Sequence, residues 1–295
     1  MMQQILFNDA LHKHIRPFTT QLLKWVGNKQ RFAHEIVGSF PERFNHYYEP
    51  FLGSGAVLAT LVPLDAFASD TFVPLMEIWL TLKVEPNKLK EWYRERWEIA
   101  HGDSKRDGYE KIKAFYNRAP NGADLLFLSR SCYGGVVRFR QTDGYMSTPC
   151  GVHEPITPDS FAKRVDLWHE RVRASKFAVM DYREAMKNAR KGDLIYCDPP
   201  YRHSQAILYG GQQFRLEELF EEISQCKSKG VYVALSIDGT KKSGEMICDI
   251  PTPDDLFAEE IFVNVGRSML RRFQMAGQTL ESEVVSDRLL LTYKL

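Results

Sequence analysis

The sequence predicts an α/β protein: one mostly parallel, doubly wound sheet finished by an antiparallel hairpin. Three features carry that expectation. After about residue 176, short apolar runs alternate with amphipathic stretches, and strands alternating with helices build parallel sheets through helical crossovers. A similar unit, broken by glycines, stands near the N-terminus in YYEPFLGSGAVLATL. At the C-terminus, EIFVNV and SEVVSDRLLLTYKL have no helical stretch between them, which suits antiparallel strands.

In chain order, residues 28–39 read as a helix. The strand ending near Phe51 turns on Gly53, Ser54 and Gly55 and opens a second helix. Glycine tolerates positive φ and close ligand approach, and ligands of open α/β sheets sit at the carboxyl ends of strands. The third glycine of a dinucleotide fingerprint is missing, since Ala56 and Leu58 follow Gly55, which disfavours a nicotinamide oxidoreductase. AFASD ends the next strand at Asp70, where a carboxylate can accept from ribose hydroxyls or cap a helix. Residues 85–175 break the alternation. They are rich in Trp, Tyr and Arg, with turn signals at HGDSKRDG, APNGAD and QTDG. They read as a mainly helical domain inserted into a sheet domain made of 1–84 and 176–295. Beyond them, FAVMDY is a strand, YREAMKNAR a helix and GDLIYCD a strand. RLEELFEEISQCKSKG is an amphipathic helix closed by Gly230, and VYVALSID is a further strand.

Bulk properties remove several function classes. No apolar run approaches the roughly 20 residues of a membrane span, and MMQQILFNDALHKH lacks the pattern of a signal peptide. The expectation is a cytoplasmic protein with no membrane partner. The 5 cysteines are scattered without a CxxC pair, so neither a disulfide framework nor a metal site is expected. A net charge of +1 excludes a globally basic binder, yet SRSCYGGVVRFRQ, AKRVDLWHERVRASK and GRSMLRRF are locally basic.

LIYCDPPYRH (194–203) is the most informative stretch. A buried run ends in an acid and two prolines, which cannot continue a sheet ladder. Asp198 and Tyr201 are thereby left at a strand mouth beside carbonyls of fixed direction. An exocyclic amine on a planar base is a poor nucleophile and needs acceptors for its hydrogens as it reacts. Asp198 and the Pro199 carbonyl can be those acceptors, and Tyr201 can stack on the base. No Ser/His/Asp or Cys/His set supports acyl transfer.

These stretches together resemble the Dam-like (alpha-class) DNA adenine-N6 methyltransferases, over nearly the whole chain and in that family's motif order. LLKWVGNKQR (22–31) resembles its KWxGGK motif, with Asn28 at the second glycine. EPFLGSGA (49–56) resembles its FxGxG turn, VMDYREAM (179–186) its next motif, and DPPY (198–201) its catalytic motif. The resemblance implies a Rossmann-like methyltransferase fold that binds S-adenosyl-L-methionine through Lys24, Trp25, Phe51, Gly53, Ser54, Gly55, Asp70, Asp181 and Tyr182. It implies catalysis by Asp198, Pro199, Pro200 and Tyr201. It makes 85–175 a target-recognition domain whose SCYGGVVRFRQTDGYMSTPCG resembles a DNA-reading hairpin, with Gly134 where the family has asparagine. Arg138 would read a base, and Arg130, Arg140, Arg271 and Arg272 would contact DNA. The implied activity is methylation of N6 on an adenine flipped out of double-stranded DNA, by a monomer or weak dimer without a metal, in restriction–modification or alone. Two alternatives stand beside it. One is cytosine-N4 methylation, where Ser is commoner at the position of Asp198. The other is a non-catalytic DNA-binding module, against which the intact DPPY argues.

Overall fold

The computed structural model describes residues 15–102, 104–140, 142–200, 214–241, 246–247, 250–266 and 285–295. The described chain runs α1 (Ala33–Gly38), β1 (Tyr47–Glu49), α2 (Ala56–Leu61), β2 (Ala66–Asp70) and α3 (Val73–Val84). Four helices follow: α4 (Pro86–Gly102), α5 (Lys105–Arg118), α6 (Gly122–Ser131) and α7 (Pro158–Arg171). The sheet resumes with β3 (Ser175–Val179), α8 (Tyr182–Lys187), β4 (Leu194–Cys197), α9 (Leu216–Ser228) and β5 (Tyr232–Lys241). It ends with β6 (Met246–Ile247), β7 (Glu259–Gly266) and β8 (Val285–Leu291).

The sheet order is β3-β2-β1-β4-β5-β8-β7, with β6 on β5. From β3 to β5 every pairing is parallel, whereas β8 is antiparallel to both β5 and β7. This is the α/β sheet with a C-terminal hairpin that the sequence predicts. Successive strand residues face opposite sides, and the sheet accordingly separates two cores. Leu194 and Tyr196 of β4, Ala234 of β5, and Leu289 and Leu291 of β8 join the core that also holds α1 and α3. Ile195, Cys197, Val233, Leu235 and Leu290 face the other core, under α8 and α9.

The chain leaves the sheet after α3 and returns at β3. The helices between are started by side-chain caps: Ser104, Asn121 and Thr157 accept backbone N–H groups one turn on. They are not tethered by a loose linker. Trp79 of α3 meets Trp168 of α7 at 5.5 Å, and the first core continues through Leu89, Tyr93, Tyr109 and Phe127.

One predicted helix is shorter than its expected range. Only Ala33–Gly38 of residues 28–39 is helical. The Asn28 side chain accepts the Gln30 N–H at 2.7 Å, a local turn that competes with a helix, and it turns Lys29 inward instead.

Candidate active site

The glycine turn follows β1. Gly53 and Gly55 have φ of +47° and +62°, a region other residues seldom enter. A side chain on Gly55 would also strike the Trp79 ring, its Cβ falling 2.8 Å from Cη2. Trp79 fixes the turn from below by donating Nε1–H to the Gly53 carbonyl at 3.2 Å. Ser54, between the glycines, is buried. Asp70 ends β2 beside them, accepting the Gly53 N–H at 3.2 Å and the Phe72 N–H at 3.1 Å. Burial pushes its carboxyl above the ordinary aspartate range. Trp25 lies over the turn, 3.5 Å from where a Gly53 Cβ would stand. Lys24 packs under Gly135 of the hairpin segment, and burial lowers its pKa.

On the far side, Phe51 stacks on Tyr182 with ring centres 5.1 Å apart, and Phe214 meets both rings edge-on. The Tyr182 hydroxyl is buried without a hydrogen-bond partner among the described residues. Asp181 caps α8 through the Arg183 N–H at 2.9 Å and pairs with its guanidinium at 3.2 Å.

Asp198 leaves β4 at the level of this turn. The parallel register pairs Tyr47 with Ala66 and with Leu194. Beyond that register, Phe51, Asp70 and Asp198 lie at the same carboxyl edge of the three strands, where the Leu52 N–H bonds the Ser69 carbonyl at 2.9 Å. That edge carries the predicted site residues Phe51, Gly53, Ser54, Gly55, Asp70, Asp198 and Pro199, with Trp25 over the turn and Tyr182 and Asp181 beside Phe51, whereas Lys24 packs against Gly135. A cavity of about 750 Å³ opens beside Pro199 and Pro200, against Phe214, Phe220 and Ile250–Leu256. None of the glycine-turn residues lines it. Tyr201, Arg271 and Arg272 lie outside the described residues.

Three residues that the sequence reading did not single out complete the mouth. Lys29 is almost wholly buried, with Nζ 3.0 Å from Asp198 Oδ1 and 2.8 Å from Asp287 Oδ2. Burial alone would lower its pKa, but the two carboxylates reverse this and hold it above the ordinary lysine value. Glu49 accepts the Tyr47 hydroxyl at 2.6 Å. Burial, with Asp198 adding repulsion, pushes Glu49 up to about 8, so it is mostly protonated at neutral pH. A usable signal was present: Glu49 alternates with buried Tyr47, and Asp287 with Leu289 and Leu291, so both acids must face inward. Lys29 lies inside the quoted 22–31 motif.

The hairpin prediction meets a real ribbon. Arg140 N–H donates to the Tyr145 carbonyl and Ser147 N–H to the Arg138 carbonyl, both at 2.9 Å. Arg138 is half-buried, its backbone N–H on Thr148 Oγ1. Arg140 is half-exposed, paired with Asp143 at 2.7 Å and laid over the Tyr145 ring. Arg130 corrects the sequence reading. It is buried at 8% exposure, and its Nη1 group donates to the carbonyls of Gln21 and Leu22 at 3.1 and 2.8 Å. It ties the N-terminal segment to α6 rather than presenting charge to a ligand. Among the described residues no group of three or more His, Cys, Asp or Glu side chains gathers to hold a metal, and no helix is long and apolar enough to cross a membrane.

Known proteins are similar to this chain over most of its length. The type II methyltransferase M1.LlaDCHI of Lactococcus lactis subsp. cremoris is 29% identical over 253 residues, covering 80% of this chain and 86% of that protein. A DNA adenine methylase of Vibrio cholerae serotype O1 is 24% identical over 227 residues, 72% of this chain and 79% of its own length. The DNA N-6-adenine-methyltransferase of Escherichia phage P1 is 25% identical over 257 residues, 82% of this chain but 33% of that larger protein. Residues 25–265 match the model of the D12 class N6 adenine-specific DNA methyltransferases, and the chain belongs to that family.

Proposed function

We propose that this DNA adenine-N6 methyltransferase takes its methyl group from S-adenosylmethionine, and that it acts on an adenine flipped out of double-stranded DNA with Asp198 as an acceptor for the reacting amine. The observation that carries this reading is that Phe51, Asp70 and Asp198 lie at one carboxyl edge of three neighbouring parallel strands. Neighbouring strands lie about 4.8 Å apart, so a nucleoside on Asp70 and a base on Asp198 would meet across β1.

The residues present fit the cofactor. Asp70 offers a carboxylate, already oriented by the Gly53 N–H, to ribose hydroxyls. The Phe51–Tyr182 pair offers an apolar ring surface, and the unpartnered Tyr182 hydroxyl a polar contact at its edge. Trp25, Ser54 and Gly55 close the turn, Lys24 would meet the cofactor from beside Trp25, and Asp181 would receive an adenine amine. When bound, S-adenosylmethionine supplies an electrophilic methyl carbon.

Asp198 and the Pro199 carbonyl each accept one hydrogen of the target N6. As the amine lone pair leaves the ring, these acceptors stabilise the charge that develops on nitrogen. The following proline fixes the direction of the Pro199 carbonyl, and Pro200 stops the strand so that the carbonyl stays unpaired with the sheet. Lys29 orients Asp198 through their ion pair at 3.0 Å. Tyr201 stacks on the extruded ring, offsetting the few kcal/mol of extrusion. Residues 85–175 act as the target-recognition domain. In it Arg138 reads a base edge, for which arginine favours guanine, while Arg140, with Arg271 and Arg272, meets phosphates.

The test is Asp198→Ala. Cofactor binding, measured by calorimetry, stays intact, while tritiated-methyl transfer to plasmid DNA falls by about 10²- to 10³-fold, the usual scale for losing one preorganised transition-state contact. Turnover near wild type in that variant would remove the assigned role.

A further inference from the structure

Asp287 belongs to β8, which is separated from β4 by β5. Strands lie about 4.8 Å apart, so the backbones carrying Asp198 and Asp287 are roughly 10 Å apart. The Lys29 amine closes that gap, 3.0 Å from one carboxylate and 2.8 Å from the other, with its side chain only 5% exposed. An ammonium donates in three fixed directions. A carboxylate that claims one of them determines how the others are aimed. Strand alternation places Asp287 on the sheet face of Leu289 and Leu291, which Tyr196 and Tyr47 share.

We infer that Asp287 is a positioning residue for methyl transfer: by holding Lys29 from the far side, it sets the point and angle at which Lys29 meets Asp198, and with them the direction in which that carboxylate faces the target amine. Asp287 also divides the positive charge of Lys29 between two acids. Asp198 therefore keeps the anionic character that a strong N–H acceptor needs. With a neutral side chain at 287, Lys29 would lose that carboxylate and press harder on Asp198, blunting it. Other titratable groups described around the pair are Glu49 and Tyr47 on β1 and Tyr196 and Cys197 on β4. Burial holds all four largely neutral at pH 7, so they add no charge to the contact of Lys29 with the two carboxylates.

This inference rests on Asp198 being the acceptor, and its test separates the two. Single-turnover transfer to duplex DNA would be measured against pH for the wild type, Asp287→Asn and Asp287→Glu. In parallel, the 13Cε resonance of Lys29 would be titrated in the free protein, assigned by its absence in Lys29→Arg. In the wild type Lys29 stays charged beyond the ordinary lysine range. In Asp287→Asn it titrates at least about one pH unit lower, the alkaline limb of the rate moves down with it, and the rate falls roughly 10- to 100-fold while KM for DNA holds. Asp287→Glu restores the limb and part of the rate. Three results would overturn the proposal: a wild-type rate and limb in Asp287→Asn, a loss of rate that tracks stability while the Lys29 titration stays put, or Asp287→Glu behaving as Asn. Should Asp287→Asn fail to fold, titration of wild-type Lys29 at or below the usual lysine value overturns it as well. Activity in Asp198→Ala would defeat the acceptor role itself, whereas the Lys29 titration reports the link to Asp287 either way.

Discussion

The strand mouth and the hairpin around Arg140 hold their charges in opposite ways. At the mouth, Lys29 and Asp287 come together from positions 258 residues apart and are almost wholly buried. In the hairpin, Arg140 and Asp143 are three residues apart and each about half exposed (51% and 50%). The first arrangement suits a reaction whose acceptor must be in place before the substrate arrives, because preorganised dipoles do not reorganise at the moment of reaction. The second suits contact with a polyanion. An exposed ion pair contributes little, about 0–1 kcal/mol, so Arg140 can leave Asp143 for a phosphate at small cost.

Breaking the mouth gives the largest expected effect. Lys29→Met leaves buried Asp287 and half-buried Asp198 without their shared cation, a class of change that costs up to about 3–5 kcal/mol. Urea denaturation measures it, and methyl transfer is lost as well. A Lys29→Met chain as stable as the wild type would mean that the mouth is not held by charge. Next comes a pair of arginines that look alike in sequence. Arg130→Met strips the carbonyls of Gln21 and Leu22 of a buried charged donor and lowers stability by about 1.5–3 kcal/mol. Arg140→Gln changes stability by under about 0.5 kcal/mol but weakens DNA binding and reduces its salt slope by about one. Equal stability losses for the two variants would erase the contrast drawn here.

The last effect is one of pH. The folded state holds the Glu49 proton up to about pH 8, whereas an unfolded glutamate releases it near 4.5. Between those values the folded chain binds more protons than the unfolded one. Glu49 therefore contributes stability in acid that declines as pH rises, by at most about 1.4 kcal/mol per pH unit. Glu49→Gln, which mimics the protonated acid, flattens the decline in thermal midpoint between pH 5 and 8. An unchanged slope in that variant would place Glu49 outside the buried network.

Much of the sheet and part of the site were legible because their signals are local. A glycine pair after a short strand, an acid at the end of the next, and a strand stopped by two prolines each show within a dozen residues. Other readings failed where the deciding contact is distant. Arg130 read as one of three arginines in a basic stretch, yet every residue of α6 is buried. The run GADLLFLSRS was the available warning, since a helix apolar over most of its surface belongs inside. Residues 28–32 read as helix because pattern alone cannot show that Lys29 has two buried carboxylates to reach.

The sequence by itself therefore determined the order of strands and helices, the turn at Gly53 and Gly55, and the acid–proline stop at Asp198. Backbone propensity and period are local properties, and they suffice for those features. Only the tertiary structure decided that Lys29 stands between Asp198 and Asp287 and that Arg130 braces the N-terminal segment. The long-range register of β4, β5 and β8 chooses those partners, and a buried charge takes the partner that folding brings within about 3 Å, however far away it lies in the chain.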